Sequence, residues 1–238
     1  MNDKSIMMIV SVTPYKEADG AIVAISKDFG VLTLIAKGLF KPTSKHIGLI
    51  QPLSTVDVLF DKREGLSLFK SATMVHLFKP FTNDLLALSV ATLMLQLISK
   101  NSEQQLLLDF EVIIEYLAQL SNKDAIAYLT HFLITCSQKQ GVGLQLDYCV
   151  SCQSTQISAL SISQGGFLCQ RCASKVDHQL FPLSFYKALR CGYKAKLDQF
   201  EQCALTYSYT LDHVELLLKL LGEALVIPWK NWQFIKEL

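Results

Sequence analysis

Four cysteines carry the most specific chemistry in this 238-residue chain. They stand as Cys149-Val150-Ser151-Cys152 and Cys169-Gln170-Arg171-Cys172, two CxxC pairs with sixteen residues between them. A tight CxxC turn lets two thiolates approach one ion from adjacent corners. A second such turn closes a tetrahedron at a Zn–S distance of about 2.3 Å. Four thiolates fill the coordination sphere and leave no position for water or substrate. The spacing therefore predicts one structural Zn²⁺ per chain on Cys149, Cys152, Cys169 and Cys172, a clip and not a catalyst. The competing reading is a pair of dithiol/disulfide couples, but a redox CxxC sits in a βαβ context and these flanks are turn-like and polar. Gly165-Gly166 before Phe167-Leu168-Cys169 predicts a hairpin that carries one knuckle to the other. The remaining cysteines, Cys136, Cys191 and Cys203, lie in apolar surroundings and read as buried free thiols of a reducing compartment.

The second chemical signal is charge. Residues 37–46 present Lys37, Lys41, Lys45 and His46 with no acidic residue among them. Extending to residue 80 adds Lys62, Arg63, Lys70 and Lys79 against Asp57, Asp61 and Glu64, a local net charge of +4. Over the whole chain 22 basic and 21 acidic residues leave only +1, which excludes a globally basic nucleic-acid coat and leaves a local patch. Lysines that neutralise phosphates release counterions, and aromatic faces give bases a surface to stack on. Phe29, Phe40 and Phe60 are available; Phe40 stands inside the basic loop, whereas the other two read first as core. The candidate DNA-binding residues are thus Lys37, Phe40, Lys41, Lys45, Lys62 and Arg63. Arg171, Lys175, Lys194 and Lys196 form a second basic set near the ribbon. A solvated surface is the plain alternative for each lysine run.

The elements that position these residues follow from periodicity. Ile6–Thr13, Ala21–Ser26, Val31–Ala36, Ser54–Phe60 and Leu66–Val75 are rich in β-formers and separated by turn signals such as Asp19-Gly20 and Lys27-Asp28-Phe29-Gly30. Five strands without a helical period predict a small closed barrel. From residue 83 the period becomes helical, with Thr82 or Asn83 as cap and helices over Leu85–Ile98, Leu106–Leu120 and Ala125–Lys139. Asn122-Lys123-Asp124 breaks the second from the third. After the ribbon (144–178) come a helix opened by Pro182 and a last one from His213 to Val226, stopped by Pro228. The fold class predicted is multi-domain, all-β plus all-α: a nucleic-acid-binding barrel over 1–80 and a helical domain over 81–238 with an inserted four-cysteine zinc ribbon. The apolar stretch from Leu85 to Ile98 falls short of the roughly 18 residues a membrane span requires, so no membrane association is expected. With no signal-peptide pattern at the N-terminus either, a soluble cytoplasmic protein is predicted.

An enzyme is the main competing class. A zinc deaminase has His-x-Glu ahead of Pro-Cys-x-x-Cys; here His213-Val214-Glu215 follows all four cysteines and reads as a surface dipeptide. No phosphate loop, HExxH or nucleophile elbow occurs, and His76, His131 and His178 are isolated. The other competitor is a zinc-ribbon interaction scaffold or transcription accessory factor that does not touch DNA.

Pro14-Tyr15-Lys16-Glu17, Ser26-Lys27-Asp28-Phe29-Gly30, Ala36-Lys37-Gly38 and Leu49-Ile50-Gln51-Pro52-Leu53 together resemble the start of the bacterial RecO recombination-mediator family. Gly165-Gly166-Phe167-Leu168-Cys169 and Leu221-Gly222 are similar to its C-terminal part. The resemblance implies an N-terminal OB-fold, a helical domain with a zinc motif, and no enzymatic activity. It further implies binding to single- and double-stranded DNA and annealing of complementary strands. The partners it implies are RecR, single-stranded-DNA-binding protein (SSB) and, indirectly, RecA, in a cytoplasmic, nucleoid-associated setting. One departure is clear: Leu39-Phe40-Lys41 stands where members often carry arginines, and the chain has only Arg63, Arg171 and Arg190. Lysine keeps the charge but loses the bidentate phosphate fork, so binding should be more salt-sensitive.

Overall fold

The computed structural model describes residues 2–78, 84–102, 107–120 and 124–238. Five strands close into a barrel: β1 (Asp3–Tyr15), β2 (Asp19–Ser26), β3 (Gly30–Ala36), β4 (Ser54–Asp61) and β5 (Leu66–Leu77), in the order β1-β2-β3-β5-β4. The pairs are antiparallel except for β3 with β5, which run parallel and shut the barrel. Alternation explains the interior. Ile22 and Ala24, Val56, Val58 and Phe60, and Met7 and Ile9 occupy every second position and are fully buried. A register shift in β1 between Ile9 and Ser11 lets that long strand bend and pair with both β2 and β4. This is the OB-like barrel expected, with each strand slightly longer than its apolar run.

The helices are α1 (Leu85–Lys100), α2 (Phe110–Leu120), α3 (Ala125–Lys139), α4 (Gln170–Ala173), α5 (Leu183–Lys194), α6 (Phe200–Thr206), α7 (Leu211–Leu221) and α8 (Trp229–Glu237). Contacts divide the chain into two compact units, residues 1–122 with 228–238, and residues 123–227. In the first, α1 packs on β1, β2, α2 and α8, and the Lys27 ammonium pairs with Glu111 of α2 at 2.8 Å. In the second, α3 packs against α5, α6 and α7. Among the described residues no helix is long and apolar enough to cross a membrane.

Several expectations require correction. The cap of α1 is Asp84, whose carboxylate accepts the Ala87 N–H at 2.9 Å. Thr82 and Asn83 lie outside the described residues, as do Lys79, Leu106, Asn122 and Lys123. The last long helix stops at Leu221, because Gly222 propagates a helix poorly. Beyond it Pro228 opens a further helix, α8, since its fixed φ suits a first turn as well as it ends a previous one. Helix α6 has no counterpart in the sequence reading. Its absence there explains the error over the cysteines: α6 lies beside α5, and Cys191 and Cys203 face each other with Cα atoms 5.9 Å apart in a disulfide. Cys136 alone is the buried free thiol expected, its pKa pushed up by burial. His213 is not at the surface. It is 1% exposed, accepts the Thr210 N–H at Nδ1 (3.0 Å), and therefore carries its proton on Nε2, 3.2 Å from the Phe185 carbonyl.

Candidate metal centre and nucleic-acid interface

The ribbon builds two knuckles on a hairpin. β6 (Ala159–Ser161) and β7 (Gly166–Leu168) pair antiparallel around a turn whose Gly165 has φ of +74°. Gly166 is required for another reason: a Cβ there would stand 2.2 Å from the Gln145 carbonyl oxygen. That close approach zips the incoming chain to the hairpin, with the Gln145 N–H on the Gly165 carbonyl (2.8 Å) and the Phe167 N–H on the Gln145 carbonyl (3.0 Å). The first knuckle closes with the Gln153 N–H on the Cys149 carbonyl (2.8 Å) and Gln153 itself at φ 61°. In the second, Cys169 precedes α4, and the N–H groups of Cys172 and Ala173 return to the Cys169 carbonyl.

These turns bring the four sulfurs within 4.8 Å of one another, with Cys152 and Cys169 Sγ 3.6 Å apart. A tetrahedron with Zn–S of about 2.3 Å has edges of about 3.8 Å, so the donor set fits such an ion. None of the four is in a disulfide. Two of the four thiols, Cys149 and Cys169, are held toward the thiolate form. Burial works to raise the Cys149 thiol, but N–H groups of Cys169, Ser151 and Cys152 hold it down to about 6. The Cys172 N–H likewise lowers Cys169. Cys172 is pushed up to about 12, first by its proton sharing with Cys169 and then by that with Cys152. Without a cation the fourth thiol keeps its proton; a divalent ion removes the reason for that.

The basic loop sits at one end of the barrel. The chain leaves β3 through Gly38 (φ 64°), whose N–H donates to Asp19 Oδ1 at 2.7 Å. Leu39, 2% exposed, plugs the barrel end so tightly that a Cβ on Gly20 would meet its Cδ2 at 2.5 Å. Phe40 follows, 37% exposed. Around them Lys37, Lys41, Lys45 and His46, with Thr43, Ser44 and Asp19, line a hollow of about 560 Å³. All three lysines are exposed, and none forms an ion pair among the described residues. Elsewhere on the barrel Lys4, Lys27 and Lys70 each hold a carboxylate: Asp57, Glu111 and Asp61.

Lys62 and Arg63 are not part of this cluster. They occupy the β4–β5 turn, and β5 starts parallel to the middle of β3 with Leu66 opposite Thr33. Lys62 reaches Phe29, just before β3, whereas Lys37 follows β3, whose seven residues span roughly 23 Å. The Lys62 ammonium lies 4.6 Å from the Phe29 ring centre, and Phe29 packs edge-on against the fully buried Phe60. Of the three phenylalanines, only Phe40 presents an open face. In the second basic set, Lys194 is engaged by Asp147 at 2.6 Å, while Arg171 lines a small hollow beside Cys152 and Cys169.

Two family models match the chain in the order of these two sites: Recombination protein O N terminal over residues 1–78 and Recombination protein O C terminal over residues 82–232. The chain belongs to the RecO family. It is 29% identical over 209 residues to the DNA repair protein RecO of Clostridium perfringens, covering 84% of this chain and 83% of that one. Against the DNA repair protein RecO of Halalkalibacterium halodurans identity is 26% over 177 residues, covering 72% and 69% of the two chains. For that of Bacillus subtilis it is 24% over 178 residues, covering 73% and 69%. The RecO match takes in both the lysine loop and the cysteine ribbon. What sequence reasoning missed at these sites is Asp19, which belongs to the loop hollow although it was visible only as half of a turn dipeptide. A carboxylate that fixes a backbone N–H across eighteen intervening residues leaves no local signal.

Proposed function

We propose that this chain is a non-enzymatic DNA repair and recombination mediator. It binds single- and double-stranded DNA, anneals complementary strands, and with RecR helps load RecA onto strands coated by SSB. In this reading residues 1–80 hold DNA, and residues 81–238 carry the structural zinc on Cys149, Cys152, Cys169 and Cys172. The observation that carries the reading is the gathering of three exposed lysines, Lys37, Lys41 and Lys45, around one hollow, none of them ion-paired among the described residues. A charged patch kept unpaired is free to exchange its counterions for phosphates. Phe40 supplies a face for one base beside it. Two strands held in this way can pair without any bond being made or broken. Zinc, when bound, supplies only the cross-link that keeps the ribbon folded. The setting is cytoplasmic and nucleoid-associated.

A salt titration of binding to a labelled single-stranded oligonucleotide tests this. The wild type binds with an affinity that falls as salt rises. The Lys37→Glu/Lys41→Glu/Lys45→Glu variant flattens the log–log slope by about 2, the value for three phosphates on a single strand. An unchanged slope removes the loop from the DNA site. Failure of the wild type to bind at low salt leaves the interaction-scaffold reading in its place.

A further inference from the structure

The Cys191–Cys203 disulfide lies in an environment unlike that of any other cysteine in the chain. It ties α5 to α6, and both of its residues line a surface pocket of about 570 Å³ together with Lys187, Arg190, Lys194 and Tyr207. Cys191 is the half-exposed partner; Cys203 is buried. No acidic residue is among the described residues that line the pocket. Asp147 reaches the rim, where its Oδ1 takes both Arg190 Nη2 and Lys194 Nζ at 2.6 Å, so two of the three cations share one carboxylate. Lys187 has no ion-pair partner among the described residues. On one helix, the open sulfur thus has cations four residues before it, one before it and three after it. Cys136, sealed in α3, has none of this access.

We infer that the Cys191–Cys203 bridge is a site of reversible thiol–disulfide exchange with a small anionic thiol of the glutathione class, held by the cations of the α5 pocket. The thiolate of the small molecule attacks Cys191 Sγ. The Cys191–Cys203 S–S bond breaks as the new one forms, and Cys203 leaves as a thiolate that takes a proton from water. A second thiolate attacks the sulfur of the bound molecule and releases its symmetric disulfide, leaving Cys191 as a thiol. Two small thiols are oxidised to one disulfide and the protein bridge is reduced by two electrons; the reverse sequence re-forms it. Positive charge acts twice, by gathering the anionic reagent and by favouring the departing thiolate. Reduction releases the tether between α5 and α6, on which Phe200 packs against Tyr128, His131 and Tyr209.

Full-length zinc-loaded protein is treated with oxidised glutathione, then with reduced glutathione, quenched in acid at intervals, alkylated and mapped by mass spectrometry. The expected result is a Cys191–Cys203 bridge that opens under native conditions while the four ribbon cysteines keep their zinc. In Lys187→Gln/Lys194→Gln, opening by glutathione slows about threefold or more beyond any slowing of opening by 2-mercaptoethanol, which carries no charge besides its thiolate. Free thiols at both positions after oxidation, or opening only in denaturant, overturns the inference. Equal slowing with both reagents overturns the role of the cations in gathering an anionic thiol.

Discussion

The barrel and the ribbon solve the same problem, holding a few functional side chains still, by opposite means. The barrel closes its own hydrogen-bond ladder around thirteen buried apolar residues, and its lysine loop is an appendage that Leu39 pins at one end. The cluster around the ribbon's cysteines packs five buried residues, two of them cysteines, beside one hairpin of three-residue strands. A segment of that size does not bury enough apolar surface to offset its chain entropy. In the barrel the backbone positions the side chains; in the ribbon four side chains, through the proposed ion, would position the backbone. The loop therefore tolerates sequence change that the knuckles do not.

Removing the metal is the strongest way to break this comparison. Structural Zn²⁺ binding is of the order of 10 kcal/mol at neutral pH, and with the proposed zinc in the ribbon it would also be folding free energy. Cys169→Ser, or a strong chelator, should strip the zinc and expose the amides of residues 145–172 to rapid hydrogen exchange, while the β1–β5 amides stay protected. Ribbon amides that remain protected in the metal-free protein would show that its small core suffices. Next in size is Gly166→Ala. Its Cβ would meet backbone, the Gln145 carbonyl oxygen, and backbone cannot move aside without undoing the ribbon. A loss of about 2–4 kcal/mol is expected, of the size that overpacking and strain together produce. Gly165→Ala meets no neighbouring atom and pays only for its positive φ, about 1 kcal/mol. Thermal unfolding of the two variants at saturating zinc measures the difference, and equal losses would refute the close-approach account.

What could be read beforehand follows the same division. The knuckles were legible because metal chemistry fixes the spacing of ligands within four residues, and the strands because burial on one face imposes alternation. The sequence also isolated Lys37, Lys41 and Lys45, since a loop rich in Gly, Lys, Pro and Ser directly after β3 keeps its charges together. It could not tell that Lys62 and Arg63 stand at the other end of the barrel, because that depends on β3 and β5 pairing in parallel. The Cys191–Cys203 bridge was hidden for a similar reason: α6 is seven residues long, too short for a periodic signal, so nothing marked Cys203 as a neighbour of α5. His213 was misjudged because a buried histidine satisfied by two backbone groups has the same local sequence as an exposed one.

Acid separates the two units on a smaller scale. Burial, against the Phe185 hydrogen bond, lowers His213 to about 4, and burial likewise lowers His131. Between the ordinary value near 6.5 and the folded value near 4, the unfolded chain takes up a proton that folded His213 refuses. Its contribution is complete above pH 6.5 and falls as pH drops through that window, by about 3 kcal/mol at pH 4. His213→Gln can keep an acceptor and a donor but does not titrate, so it should flatten the pH dependence of amide protection in α7. A slope as steep as that of the wild type would mean that other groups, the ribbon thiolates among them, govern acid unfolding.

The smallest effect sharpens the comparison most, because it divides adjacent residues of the lysine loop. Leu39 fills the barrel end and Phe40, the next residue, leaves more than a third of its surface in solvent. If the loop is an appendage on a self-sufficient barrel, stability and binding should separate at this peptide bond. Leu39→Ala empties a closed site and should cost about 2–4 kcal/mol of stability. Phe40→Ala should leave the melting temperature nearly unchanged and weaken single-strand binding by about 1 kcal/mol, the low end for one base stacked on one ring. It should do so without altering the salt slope, since no charge is removed. A Phe40→Ala variant that melts early but binds normally would make the ring a second plug, and would leave the lysines as the whole of the interface.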